Sequence, residues 1–403
     1  MIAATATFAA VATEACAQSN GPVVIDQLIG FGDVVAGQSL LVTNVDTVQA
    51  STSATGNRID GAVQQDSGEA RTTQVVQGDI VAETDLTLNG DTTGSVVVQT
   101  QARGNYLAAS AYDGALAIDA TQSFTGPEVR AQTTIDDADA RLLAGANVAT
   151  GAYANTVALG GENASVTGTI DQSSQTQVFA SSFGAVQYIP ADAAFSAQAL
   201  GNAVQSNTTG SSHQELEIRQ SNAPSTITAD VSANAGNAWN LAGRANAAAN
   251  QANLYNSGGS MVVSTDQSNQ GRVRSNAIVT AYDYGAATAT AHAAGNEVVA
   301  GNNDIYLELD NTQINSGGVE ASASFAGTNG YDAYVGAEAV GNSVTGYTCS
   351  TCAGVLNATS SQVNDGNVSA VATTTVNGSG RAVVTGANAV GNSATFYVSR
   401  PGS

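Results

Sequence analysis

The sequence predicts an all-β protein: a single-chain β-solenoid (β-helix) of about eight repeats, each of roughly 48 residues. Three observations predict this fold. An asparagine word recurs at a near-constant spacing, a glutamine recurs in step with it, and polar and apolar residues alternate between them. A fixed period of roughly 20–50 residues is typical of repeat proteins whose units stack on one another.

The asparagine word has the form seen in Ala339-Val-Gly-Asn-Ser-Val344, and it recurs at nearly equal steps along the whole chain. Its members are Asn57, Asn105, Asn155, Asn202, Asn250, Asn296, Asn342 and Asn392. A glutamine follows each asparagine except the last at a similarly constant interval. This second row is Gln74, Gln122, Gln172, Gln220, Gln267, Gln313 and Gln362, and Gln27, which precedes Asn57, is predicted to open it.

Alternation of residue type within each unit indicates strands, because period two is a strand signal. Examples are Val319–Phe325 and Val368–Val376. Gly and Asn clusters such as Ser316-Gly-Gly318 supply the positive φ that corners need. The alanine-rich segment Gly243–Tyr255 has helical propensity, but it falls where other units have a strand, so we predict a strand there.

Stacking explains why one polar residue recurs in every unit. Inward asparagines about 4.8 Å apart hydrogen-bond to one another through their amide donors and acceptors, and a glutamine row does the same. We therefore interpret both rows as structural. Inward alanine and serine favour a narrow coil, and we expect each unit to form two coils, each containing half of the unit.

The chain has 33 acidic and 11 basic residues, all arginine, and a net charge of −22. A surface of this charge repels phosphates, which excludes nucleic acid as a partner. Acidic residues also keep an extended β-surface soluble and discourage pairing between edges.

Residues 1–17 are small and apolar and end in Ala15-Cys16-Ala17, which matches a signal-peptidase site without the usual basic start. They are predicted to be a signal-peptide remnant; either the true start lies upstream or Cys16 is lipidated. The solenoid is predicted over 18–400, with 401–403 as a tail. Cys349 and Cys352 are spaced for half a zinc site without a second pair, so a disulfide within one loop is predicted.

The Gly-Asn words and the glutamine row resemble curlin repeats, at twice the curlin period. The leader, the acidic lysine-free composition and the units together resemble HfaD, the holdfast-anchor family of stalked bacteria. That resemblance implies an exported, non-enzymatic protein, peripheral to the outer membrane at the cell surface. It implies HfaA-like and HfaB-like partners, docking at the solenoid ends, and an extracellular adhesive polysaccharide. No catalytic residues come with it.

Two alternatives stay open: a self-polymerising curli-like fibre and a β-helical polysaccharide-processing enzyme. The densest acidic group, Asp136-Asp-Ala-Asp139, occurs in a single unit, which does not favour an enzyme. No cofactor is predicted beyond weak calcium binding at corners such as Asn302-Asn-Asp304. Aromatic faces stack on sugar rings, so Tyr331, Tyr334 and Tyr347 are the predicted glycan contacts.

Overall fold

The structure, a computed structural model, describes residues 23–348 and 354–398. These residues form parallel β-strands and contain no helix. The chain winds repeatedly, and each strand pairs in parallel with the strand one turn later. The predicted β-solenoid is therefore confirmed. Each turn of the winding is called a coil below, and coils are numbered 1–8 from the N-terminal end.

The first sheet contains one strand from each coil, and its eight strands follow one another in chain order. They are β1 (Val23–Gly30), β4 (Ser67–Val76), β8 (Ala115–Phe124), β11 (Ser165–Ser174), β13 (His213–Asn222), β15 (Ser260–Asn269), β17 (Tyr306–Asn315) and β19 (Val355–Asn364). After β1 these strands have a common length, so the first sheet keeps its width along the solenoid.

The second sheet has 13 strands and contains the rest of every coil. In coils 4–7 this part is one long strand with a corner: β12 (Gln177–Thr209), β14 (Thr226–Asn256), β16 (Arg272–Asn302) and β18 (Val319–Thr348). In the other coils the corner divides it. The strands before the corner are β2 (Val34–Val42), β5 (Ile80–Leu88), β9 (Glu128–Leu142) and β20 (Val368–Val376). The strands after the corner are β3 (Val48–Gln64), β7 (Val96–Tyr112), β10 (Ala146–Glu162) and β21 (Ala382–Val398). The short strand β6 (Asp91–Thr92) pairs with β9.

Each repeat unit forms one coil, so the expectation of two coils per unit is wrong. Gln122 pairs with Gln172, and Asn155 pairs with Asn202, in directly neighbouring strands. The physical reason lies in the interior. Each coil encloses two hydrophobic clusters rather than one, and a coil made of half a unit is too short to surround both.

The larger cluster lies between the two parts of the second sheet and includes Phe195 and Phe325. The smaller cluster lies between the first sheet and the C-terminal parts of the second-sheet strands, and it includes Ile118 and Leu216. Buried alanines line much of the interior, as the composition predicts. The predicted asparagine and glutamine rows, called the ladder residues below, lie between the two clusters, where their side chains bond from one sheet to the other. We call this narrow part of the interior the waist.

The alanine-rich segment Gly243–Tyr255 lies within β14, so the predicted strand is confirmed. Ala245, Ala247 and Ala249 are buried while the residues between them are more exposed, apart from Ala248. Pairing with β12 on one side and β16 on the other overrides the helical propensity of alanine.

Candidate functional site: internal ladders and an external aromatic groove

The eight predicted asparagines form one column through the solenoid. In each coil Nδ2 donates to Oδ1 of the asparagine in the next coil, at 2.7–2.9 Å. The same nitrogen also donates, at 2.8–3.0 Å, to a backbone carbonyl near the end of the first-sheet strand of that next coil. Asn202, for example, is fully buried and bonds to Ser221 O and Asn250 Oδ1. The column therefore ties each coil to the next and the second sheet to the first.

A parallel column contains Gln74, Gln122, Gln172, Gln220, Gln267, Gln313 and Gln362. Each Nε2 from Gln122 onward donates to Oε1 of the glutamine in the preceding coil, at 2.7–2.8 Å. Each glutamine also donates to the carbonyl of the residue that follows the ladder asparagine of its own coil, at 2.9–3.2 Å. The asparagines donate toward coil 8 and the glutamines toward coil 1. Their amide dipoles therefore oppose each other across the waist.

Gln27 does not belong to the glutamine column, so placing it there was wrong. Leu28 is the residue opposite Gln74, and Gln27 lies opposite Thr73. Because successive side chains of a strand point to opposite faces, this offset of one residue turns Gln27 outward, where it is exposed. The glutamine column thus begins in coil 2, and an aliphatic side chain faces its N-terminal end.

The interior contains two further polar rows that were not predicted from the sequence. Threonine hydroxyls form a chain in coils 1–3, with neighbouring oxygens 2.7 Å apart; its members are Thr52, Thr84, Thr100, Thr133 and Thr150. It crosses between the two parts of the second sheet, so its sequence spacing is irregular. A second asparagine column lies at the ends of the first-sheet strands in coils 5–8. Its members are Asn222, Asn269, Asn315 and Asn364. An Asn-x-Gly pattern at three of its positions was the signal available for it.

The three tyrosines predicted to contact glycan do not form one cluster. Tyr331 and Tyr334 are about half exposed near the corner of β18. Tyr347 lies further along β18, beyond Asn342, where its ring covers Gly301 and stacks on Tyr397 at a centroid distance of 5.5 Å. The structure instead brings Tyr331 beside Trp239, which lies two coils earlier.

Trp239 and Tyr331 form the aromatic wall of a shallow groove at the corner of the second sheet, with a volume of about 530 Å³. Their rings meet edge to face at a centroid distance of 6.3 Å, and their exposed fractions are 55% and 52%. Gly285 lies in the coil between them, and a Cβ there would come within 3.0 Å of the indole ring. Glycine at this position therefore lets the indole lean toward Tyr331.

Polar side chains form the other wall of the groove. Asn237, Asp283 and Asn329 are register partners in coils 5, 6 and 7, and all three are exposed. Asn329 Nδ2 donates to Asp283 Oδ1 at 3.3 Å. Tyr188, in coil 4, is the register partner of Asn237 and ends the row. We define the aromatic groove as Tyr188, Asn237, Trp239, Asp283, Asn329 and Tyr331.

An ion pair closes the groove at coil 8. The Arg381 guanidinium lies 5.5 Å from the centre of the Tyr331 ring and pairs with Asp332. Hydrogen bonds from Arg381 lower the pKa of Asp332, so that carboxylate stays ionised in mild acid. The floor includes Tyr284, which packs edge to face on Phe325, and burial raises the pKa of the Tyr284 phenol.

The acidic groups noted in the sequence accept hydrogen bonds from nearby backbone amides. At the Asn302–Asp304 corner, Asp304 Oδ2 accepts a hydrogen bond from the Gly259 backbone amide. Asp137 accepts one from the Asp139 amide. In the described ranges, no group of three or more His, Cys, Asp or Glu side chains is arranged to hold a metal ion. Cys349, Cys352, the leader 1–17 and the tail 401–403 lie outside the described residues.

A helix long and apolar enough to cross a membrane is absent from the part of the chain that the structure describes. The profile of the family described as holdfast attachment protein D matches residues 42–318. This span is more than half of the 403 residues. No curated protein and no solved structure matches the chain.

Proposed function

The chain belongs to the holdfast attachment protein D family, and from this premise we propose that it is a non-enzymatic rod at the cell surface. In this proposal one end docks on an outer-membrane assembly, and the body of the rod holds the adhesive polysaccharide. HfaA-like and HfaB-like proteins are the proposed members of that assembly. The rod itself needs no cofactor for this role.

The observation that carries the proposal is the unusual outer surface of coil 1. Ile25, Val35 and Leu41 point outward and are 75%, 68% and 66% exposed. The register partners of Ile25 in coils 2 and 3 are the charged residues Arg71 and Asp119. Large apolar side chains left in solvent on the outer faces of β1 and β2 favour an interaction surface at this end of the solenoid. We define Ile25, Val35 and Leu41 as the coil 1 patch and assign it to the envelope partner.

The strand edges at both ends of the described solenoid support docking by strand addition. Among the described residues, strands β1 to β3 pair with a neighbour on one side only, and so do β19 to β21. Such edges accept a further strand from a partner. In coil 1 the apolar patch adjoins this edge, so a partner there gains both backbone hydrogen bonds and apolar contact.

A bridging assay tests this proposal. Immobilised holdfast polysaccharide should capture solubilised outer-membrane assembly only when the purified chain is added, and the captured polysaccharide should keep its length. Replacing Ile25, Val35 and Leu41 together with aspartate should reduce capture of the assembly at least tenfold, because charged side chains cannot be desolvated against an apolar partner. The same variant should still bind the polysaccharide.

The matched control replaces three exposed outward residues of other coils, Asp119, Ser264 and Thr359, with alanine, and it should bridge like the wild type. Equal capture of the assembly with and without the chain would contradict the bridging role. Shortened polysaccharide would instead support the enzyme alternative.

A self-polymerising fibre is the second candidate, because the first and last coils of the described residues each have strand edges without a partner there. Stacking coil 8 of one copy on coil 1 of the next would bring Asn392 onto Asn57 and continue the asparagine column. It would also set Gln362 against Leu28, which cannot donate to the Gln362 side-chain oxygen. A buried acceptor without a donor costs about 1–3 kcal/mol. This mismatch disfavours the fibre relative to the bridge.

A further inference from the structure

We propose that the aromatic groove is a polysaccharide-binding site in which a sugar ring stacks on the Trp239 and Tyr331 pair and the glycan chain runs along the solenoid axis. This inference deepens the proposed function and rests on it.

The aromatic pair has the exposure that a stacking platform needs. Burial of an indole or phenol ring usually stabilises a fold. About half of each of these two side chains nevertheless stays in contact with solvent. The indole lies against Gly285 and meets the Tyr331 ring edge to face, so the two rings together border one apolar corner of the groove. The C–H face of a pyranose is apolar as well, so it would cover this surface while its hydroxyls point sideways.

The hydroxyls of the sugar would meet the polar wall. Asn237, Asp283 and Asn329 present one amide or carboxylate in each of three successive coils. Neighbouring parallel strands lie about 4.8 Å apart, which is close to the length of one hexopyranose in an extended chain. An axial glycan would therefore offer one sugar to each coil, in step with this row.

The charge of the groove selects among glycans. In the described part of the chain Asp283 makes no ion pair within 4.0 Å and its polar partner is the neutral Asn329, while the Arg381 guanidinium at the end of the groove is already paired with Asp332. The whole chain has a net charge of −22. A polyanionic glycan would be repelled, whereas a neutral or amine-bearing glycan would not. The groove should therefore prefer uncharged or basic sugars to uronic acids.

Trp239 is the single tryptophan of the chain, so its fluorescence reports on this groove alone. Hexasaccharides of glucose, glucosamine and galacturonate would be titrated into the purified chain. Glucose or glucosamine hexasaccharide should shift the emission and saturate, and galacturonate should not. Replacing Trp239 and Tyr331 together with alanine should weaken binding of the same hexasaccharide at least tenfold by calorimetry. Both side chains are exposed, so the fold should be retained.

Tyr334→Ala is the matched control, since Tyr334 is similarly exposed three residues from Tyr331 but does not line the groove. Tyr334→Ala should bind like the wild type, and Trp239→Phe should retain most of the affinity because it keeps a ring. The assignment is overturned if no hexasaccharide shifts the emission, or if the double alanine variant binds as tightly as the wild type. If that variant also supports full bridging, the groove assignment fails while the proposed function stands.

Discussion

Replacing Asn202 with aspartate should lower the free energy of unfolding by about 3–5 kcal/mol at neutral pH. The Asn202 side chain is fully buried and donates to Ser221 O at 2.9 Å and to Asn250 Oδ1 at 2.8 Å. A carboxylate there would place negative charge against both acceptors and supply no proton to either. Urea unfolding followed by circular dichroism measures the change.

The pH dependence of this loss has a definite sign. Burial and the two facing acceptors would raise the pKa of the introduced carboxyl in the folded state above its unfolded value of about 3.9. The loss should therefore be smallest below about pH 3.9 and grow as pH rises through the folded-state pKa.

Asn207→Asp is the control for this substitution. Asn207 is exposed and lies five residues further along the same strand, β12. This change should alter stability by less than about 0.5 kcal/mol. Similar losses for the two variants would mean that the asparagine column does not hold the coils together.

Replacing Gly295 with valine should cost about 3 kcal/mol, since overpacking a filled site forces backbone and side chains apart. Gly295 precedes the ladder residue Asn296. A Cβ at Gly295 would lie 2.5 Å from Gly341 O and 2.6 Å from Asn315 Oδ1. The substitution would therefore strain both asparagine columns at once. Thermal unfolding monitored by circular dichroism should show a clear fall in the midpoint.

The matched control is Gly386→Val, because a Cβ at Gly386 would meet nothing within 4 Å. Gly386 lies in β21, and valine favours strands, so this variant should be as stable as the wild type or slightly more stable. If the two valine variants had the same midpoint, close contact between successive Gly-Asn words could not be the reason for glycine there.

The period of the asparagine word was enough to predict the stacked strands, because residues one unit apart become neighbours in a solenoid. It could not predict how often the chain turns within one unit. The period gives only the length of the repeating unit. The number of coils in that unit depends on how many hydrophobic clusters the interior must enclose. The two clusters arise from residues such as Phe195 and Leu216, whose packing partners are distant in the sequence.

The remaining differences between the predictions and the structure arise from the register in which the strands pair. Counting residues placed Gln27 in the column, but a shift of one position turns a side chain to the other face. Trp239 and Tyr331 are two units apart, so they become neighbours only when each unit is one coil. Sequence proximity favours Tyr334 and Tyr347 as the neighbours of Tyr331 and gives no sign of Trp239.

Both ladders and the aromatic groove require each unit to form a single coil, and a distance between two spin labels measures this directly. Asp119 and Thr359 are exposed, point outward and occupy one column of the first sheet in coils 3 and 8. Cysteines would replace both residues, with Cys16, Cys349 and Cys352 changed to serine, and nitroxides would be attached. Five steps of about 4.8 Å predict a backbone separation of about 24 Å by double electron–electron resonance. A separation of about 48 Å, which two coils per unit would give at the same strand spacing, would contradict the account.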